Sequence, residues 1–388
     1  MIGITKLLCD SENYGDSIRY VDGAKDAKYG VSKGNGPVVV WNCTNTCNLK
    51  CKHCYADSKN KKFDGELNTE EAKAFIEDLG DLRVPVLLIS GGEPLIREDI
   101  FELIQYAKNY KIRSTVSTNG TLIDKEMASN LKQNGVSYVG ISLDGIGTRH
   151  DEFRGVKGSF DKAITGIRNC LDIGQKVGLR FTISSNNYDQ LEDIFNLIKE
   201  EGIPRVCFYH LAYSGRGNSM IEEDITSEEK RLAMDLIMKK AIEFGKKVEI
   251  LTVDNHADSA YLYLQAKRIY PELADRVWEL VQMNGGNRSG MAIANVDFKG
   301  NVHPDQFTQH HSFGNVRERK FSDIWRNPVN PLALGLRDRK ILLKGRCGRC
   351  KWLSVCNGNL RVRAEAVTGD FWDSDPSCYL TDEEIGIS

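Results

Sequence analysis

From residue 38 to about 212, short β-branched runs alternate with stretches whose apolar positions recur every three or four residues. The runs VVVWNCT (38–44), PVLLISGG (85–92), RSTVSTNG (113–120), YVGISLDG (138–145), KVGLRFTI (176–183) and RVCFYHLA (205–212) predict strands. Helical patterns fall between them, at 69–79, 98–110, 124–134, 160–173 and 188–201. Strands separated by helices of that length imply right-handed βαβ crossovers and a parallel sheet. Six such strands fit an α/β open or partial barrel, short of the eight that close a complete one. A more helical stretch follows, with patterns at 226–245 and 258–282 around a strand at 248–254. The segment AIANVDFKGNVHPD (292–305) reads as a hairpin turning at Lys299–Gly300. Boundaries near 215 and 284 divide the chain into an N-terminal extension (1–35), a barrel (36–215), a helical completion (216–284) and a C-terminal domain (285–388).

Composition narrows the function classes. A formal net charge of −2 argues against an electrostatic nucleic-acid binder. No run of about 18 apolar residues exists to span a membrane. The opening MIGITKLLCDSENYGDS lacks the basic start and apolar run of a signal peptide, so a cytoplasmic location is expected. Eleven cysteines are then too many for chance. Inside the cell, clustered cysteines serve metals more often than disulfides. Four lie between 43 and 54 and four between 347 and 378, which points to two metal sites. Cys9, Cys170 and Cys207 stand alone and read as buried small apolar residues.

Cys47, Cys51 and Cys54 form C-x3-C-x2-C directly after the first predicted strand. Three thiolates in one loop can hold three irons of a cubane and leave the fourth iron open. Zinc is the alternative, with Cys43 or His53 as a fourth ligand. Cys347, Cys350, Cys356 and Cys378 offer four thiolates, enough to close either a cubane or a zinc site. The polar motifs NCTNTC, SGGEP, STNG and SLDG all sit at the carboxyl ends of predicted strands, where parallel sheets bind ligands.

That order of motifs resembles the radical S-adenosylmethionine (SAM) superfamily across the whole α/β region. The resemblance implies a partial (β/α)6 barrel whose open iron binds SAM, so that Cys47, Cys51 and Cys54 carry the catalytic [4Fe-4S] cluster. It also implies that Tyr55 packs near the adenine and that Gly91, Gly92 and Glu93 meet the methionyl amine. Ser117 and Asn119 would contact the ribose, and Ser142 and Arg154 the methionyl carboxylate. Taken singly, each motif is ordinary turn chemistry. The four C-terminal cysteines resemble SPASM or twitch extensions, which carry a second [4Fe-4S] cluster.

Over nearly its full length the chain is similar to the NirJ/AhbC group, which trims side chains of modified tetrapyrroles. The segments that carry this include YSGRGN (213–218), NVHPDQF (301–307), FGNVRERKFSDIW (313–325) and RVRAEAVTGD (361–370). The group divides between acetate removal from 12,18-didecarboxysiroheme, giving iron-coproporphyrin III for heme b, and propionate replacement on the route to heme d1. The opening MIGITKLLC favours the first. An iron tetrapyrrole substrate and a ferredoxin or flavodoxin electron donor are implied. A polycarboxylate substrate asks for arginine forks, and Arg216, Arg288, Arg317, Arg319, Arg361 and Arg363 are candidates. His303, Asp305, His310 and His311 are candidates for axial ligands or proton donors. Two alternatives keep part of this picture. Peptide maturation would need a peptide-binding N-terminal domain, for which the extension is short, and an iron–sulfur scaffold would not need the strand-end motifs.

Overall fold

The computed structural model describes residues 1–22 and 27–387. The chain forms β1 (Ile2–Gly3), β2 (Val38–Thr44), β3 (Val86–Gly91), β4 (Arg113–Thr118), β5 (Tyr138–Ser142), β6 (Val177–Ile183), β7 (Arg205–His210), β8 (Glu249–Val253), β9 (Ile293–Val296), β10 (Asn301–His303) and β11 (Gly314–Asn315). It divides into two compact units that interleave the sequence segments: Met1–Asp26, Phe181–Arg288 and Asp338–Ser388 in one, Ala27–Arg180 and Ser289–Arg337 in the other. The division falls within β6.

The Ala27–Arg180 unit holds the parallel ladder. β2 pairs with β3, β3 with β4, β4 with β5, and β5 with the first residues of β6, all parallel. On its other side β2 pairs in parallel with β9, and β10 and β11 continue the sheet antiparallel. Val39, Trp41, Leu87, Ile89, Val139 and Ile141 are fully buried, as expected for strands covered on both faces. The crossover helices start where the sequence supplies caps. Asn68 and Glu71 form a reciprocal capping box on Thr69–Asp81, and the Asp124 side chain accepts from Met127 N to open Lys125–Gln133. Asp151 receives the backbone N–H groups of Gly158 and Phe160 at the head of Ser159–Asp172.

In the second unit β7 pairs in parallel with β8, and β1 adds to β8 antiparallel in the register Ile2↔Thr252. The helix Ile4–Cys9 follows at once, burying Ile4, Leu7 and Leu8. The expected helix at 258–282 is two helices, Ala257–Ile269 and Ala274–Asn284, because Pro271 cannot continue the hydrogen-bond ladder. Of four short helices, Gly345–Arg349, Leu353–Cys356, Arg361–Thr368 and Asp382–Ile385, the first two carry Cys347 and Cys356, while Cys350 lies between those two and Cys378 precedes the last.

Candidate active site and second cysteine cluster

β2 ends at Thr44 and passes into the cysteine loop. The loop is tied back on itself: Cys47 N donates to Lys59 O at 3.0 Å, and Ser58 Oγ to Asn45 Oδ1 at 3.0 Å. Two further backbone bonds, Lys50 N to Arg154 O and Lys52 N to Phe153 O, fix it to the helix Thr148–Arg154. Held this way, the Cys47, Cys51 and Cys54 side chains pack together around Leu49. Cys47 and Cys51 are buried and Cys54 is half-buried.

Gly91 and Gly92 are required by that loop. A Cβ on Gly91, whose φ is +128°, would lie 2.2 Å from Thr44 O, and one on Gly92 would lie 2.2 Å from Thr46 O. Gly92 N and Glu93 N instead donate to those two carbonyls at 2.8 and 2.9 Å. The close backbone approach that the glycine pair permits is therefore made to Thr44 and Thr46, where β2 passes into the cysteine loop. Glu93 is fully buried. It accepts from Thr118 Oγ1 at 2.7 Å, Asn119 N at 2.8 Å and Leu95 N at 3.2 Å. Burial pushes its carboxyl up to about 6, against the pull of these hydrogen bonds.

The remaining strand-end residues converge on the same end of the ladder. Asn119 Nδ2 donates to Asn48 Oδ1 at 2.8 Å, which joins STNG to the cysteine loop. Ser117 accepts a hydrogen bond from Arg180. Tyr55 Oη lies 3.2 Å from Asn42 Oδ1 and 3.1 Å from Ser90 Oγ, and its ring meets Phe307 edge-on at 5.5 Å. Ser142 is half-buried at the end of β5.

Arg154 is engaged with the cysteine loop. Its Nη1 donates to Cys51 Sγ at 3.4 Å, and its guanidinium is ion-paired with the fully buried Asp144. Burial acts to lower its pKa, and Asp144 and Cys51 outweigh that and raise it. Asp144 also lies 3.7 Å from His53 Nε2, while its backbone N–H donates to His150 Nδ1 at 3.1 Å. Burial, with Arg154 adding, drives His150 down to about 4, so this acceptor nitrogen stays unprotonated at neutral pH. Sequence reasoning did not single out Asp144 or His150. The available signals were the Asp of SLDG and the His before DEFR, each indistinguishable from a turn residue without the fold.

The donor set fits a cubane with one open iron. Burial raises Cys47 to about 12 and also raises Cys51, so without a metal both sulfurs would stay protonated. The two candidate fourth ligands for zinc each have surroundings of their own. Cys43 is fully buried within β2, and His53 faces Asp144. At the other end of the chain, Cys347, Cys350, Cys356 and Cys378 line one pocket with Trp352, Leu353, Leu380 and Ile385. Burial pushes Cys356 well above its ordinary value, and its three neighbouring cysteines push it further. Four crowded thiols of this kind suit a closed metal centre, because a cation is needed to hold them together as thiolates.

Several candidate substrate residues prove to be structural. Arg363 is fully buried against Asp375, with Nη2 to Oδ2 at 2.8 Å, and Arg361 is buried beside the four-cysteine pocket. Arg317 pairs with Glu71 at 2.7 Å, and Arg319 donates to the carbonyls of Asp323 and Asn327. Asp305 is buried and accepts from Phe307 N, Thr308 N, Thr308 Oγ1 and Ser289 Oγ. His303 is buried, its Nδ1 2.9 Å from His311 O and its Nε2 3.3 Å from Asp297 Oδ2. These fixed partners make Asp305 and His303 poor iron ligands. Arg216, Arg288, His310 and His311 keep their candidacy, His310 being exposed with its ring 4.4 Å from that of His311 and tilted 46° to it.

Known families agree with this geometry. Residues 41–198 match the radical SAM superfamily, and residues 289–351 match the SPASM iron–sulfur cluster-binding domain. The chain belongs to the radical SAM superfamily, as an enzyme that uses SAM, a [4Fe-4S] cluster and a further iron–sulfur cluster in its SPASM domain. Within the superfamily it falls in the NirJ/AhbC group. It is 54% identical over 395 residues to Fe-coproporphyrin III synthase of Methanosarcina barkeri (strain Fusaro / DSM 804), across 100% of this chain and 99% of that one. It is 44% identical over 359 residues to pre-heme d1 synthase of Dinoroseobacter shibae, across 91% of this chain and 88% of that one. The crystal structure of Streptococcus suis SuiB bound to S-adenosylmethionine shares the fold, with a TM-score of 0.71 at 21% identity over 89% of this chain and 78% of that one. Among the described residues no helix is long and apolar enough to cross a membrane.

Proposed function

We propose that this enzyme removes the two acetate side chains of 12,18-didecarboxysiroheme to give iron-coproporphyrin III, on an alternative route to heme b. The observation that carries the reading is the 54% identity to Fe-coproporphyrin III synthase, sustained over the whole of both chains. Pre-heme d1 synthase is matched at 44%, and oxo introduction at the propionate positions is the second reading.

With SAM and its cluster bound, one-electron reduction supplies a 5′-deoxyadenosyl radical able to abstract hydrogen from an acetate methylene. The chain's own work is to bind and to orient. Cys47, Cys51 and Cys54 hold the cluster in a loop braced by Thr44, Thr46 and Lys59. Gly91, Gly92 and Glu93 would present the methionyl amine site, Ser117 and Asn119 the ribose site, and Tyr55 the adenine face. Ser142 would meet the carboxylate, with Arg154 charge-compensating between it and Cys51. Cys347, Cys350, Cys356 and Cys378 would hold the second [4Fe-4S] cluster. The electron donor is a ferredoxin or flavodoxin, and the enzyme works in the cytoplasm under anaerobic conditions.

The test is anaerobic incubation of reduced enzyme with SAM and 12,18-didecarboxysiroheme, followed by product mass. Loss of both acetates is expected. Gain of two oxo groups would establish the second reading, and recovery of untouched substrate beside 5′-deoxyadenosine would contradict both.

A further inference from the structure

Arg361 opens the helix Arg361–Thr368 and is 2% exposed. Its Nη1 donates to the carbonyls of Phe371, at 3.3 Å, and Asp373, and its Nη2 donates to Gly358 O. The same Nη2 lies 3.9 Å from Cys347 Sγ. Its Nε is buried with no hydrogen-bond partner. Every partner is a neutral carbonyl or a cysteine sulfur, and among the described residues no carboxylate forms an ion pair with it. Two nearby arginines differ. Arg363 is matched by Asp375, and Arg346 is over one-third exposed and matched by Asp382 at 2.8 Å.

Asp375, already matched by Arg363, and Asp370 act on Arg361 only from beyond ion-pair distance, and a buried guanidinium with no carboxylate in contact is costly unless further negative charge reaches it. The anionic group within hydrogen-bond reach would be Cys347 in the four-cysteine pocket, which becomes anionic once its thiolates hold a cluster. Trp352, Leu353, Leu380 and Ile385 line that pocket and keep the local dielectric low, where charges act strongly on one another. Cluster net charge and hydrogen bonds to sulfur are among the determinants of reduction potential. One-electron reduction adds a further negative charge, and a fixed cation at Cys347 favours that state.

We propose that Arg361 is the counter-cation of the second cluster and raises its reduction potential. This rests on the four cysteines holding a [4Fe-4S] cluster. Arg361 acts through Cys347 and is a positioning residue.

The experiment is an EPR-monitored redox titration of the full chain carrying Cys47→Ala, Cys51→Ala and Cys54→Ala, which leaves only the second cluster. Arg361→Gln is expected to disfavour the reduced state by at least about tenfold, a downward shift of about 59 mV for one electron. Arg361→Lys is expected to restore most of it, and Arg346→Gln to shift it less, because its charge is solvent-screened. An unmoved potential in Arg361→Gln, or an equal drop in Arg361→Lys, would overturn the proposal. If Arg361→Gln does not fold, pulsed EPR of 15N-arginine-labelled protein decides. A 15N coupling to the reduced cluster that vanishes in Arg361→Lys supports the role, and an unchanged coupling refutes it. A chain that binds no cluster at the four cysteines would instead show that the underlying reading fails.

Discussion

Two buried carboxylates set the character of the SAM end at the residue scale. Glu93 has its carboxyl raised to about 6 from an ordinary 4.5, so the folded chain binds the proton more tightly than the unfolded one. The stability linked to this group is therefore present below about 4.5 and lost as pH rises to about 6, a decline of roughly 2 kcal/mol. Denaturation of the cluster-free chain across that window should show this decline in wild type and not in Glu93→Gln; identical slopes would count against it. Asp144 is the second case. Removing Arg154 leaves its carboxylate buried without its cation, which costs about 3–5 kcal/mol. Arg154→Met should thus destabilise far more than the Arg154→Met/Asp144→Asn pair in a double-mutant cycle. Additive losses would mean that the two side chains do not depend on each other.

The decisive element is the turn after β3, where two glycines let backbone lie on backbone. Gly91→Ala adds a Cβ 2.2 Å from Thr44 O at a left-handed φ, and strain plus overlap should cost at least about 3 kcal/mol and strip iron from the cysteine loop. Gly34→Ala, also left-handed but with open space around its Cβ, should cost about 1 kcal/mol and keep its iron. Urea unfolding and iron content check both, and equal behaviour would show that the overlap does not matter. Elements of this kind were legible where a long periodic pattern met a strong turn signal. Five of the six barrel strands, β8 and the Lys299–Gly300 hairpin lie within a residue or two of their expected spans, and β5 ends three residues short of its own. β1 and β11, two residues each, carry no periodicity to read, and the apolar periodicity of 258–282 runs on across Pro271 although the helix does not. The cysteines were legible because ligand spacing is local. Asp144, His150 and the true partners of Arg361, Arg363, His303 and Asp305 were not: the partners lie nearby in sequence, but the irregular loops that bring them together carry no periodicity or fixed ligand spacing to read.

For the whole molecule, the proposed reading divides the labour between two cysteine sets: Cys47, Cys51 and Cys54, which pack together, would leave a coordination position open, and Cys347, Cys350, Cys356 and Cys378, which line one pocket, would close theirs. Seven thiolates serving two cubanes leave a single iron without a protein ligand. Mössbauer spectroscopy of the 57Fe-reconstituted chain, with and without SAM, addresses that iron directly. One iron site of about eight should change its isomer shift when SAM is added, and that response should be absent from a Cys51→Ala variant. A spectrum indifferent to SAM, or zinc in place of iron at Cys47, Cys51 and Cys54, would contradict it.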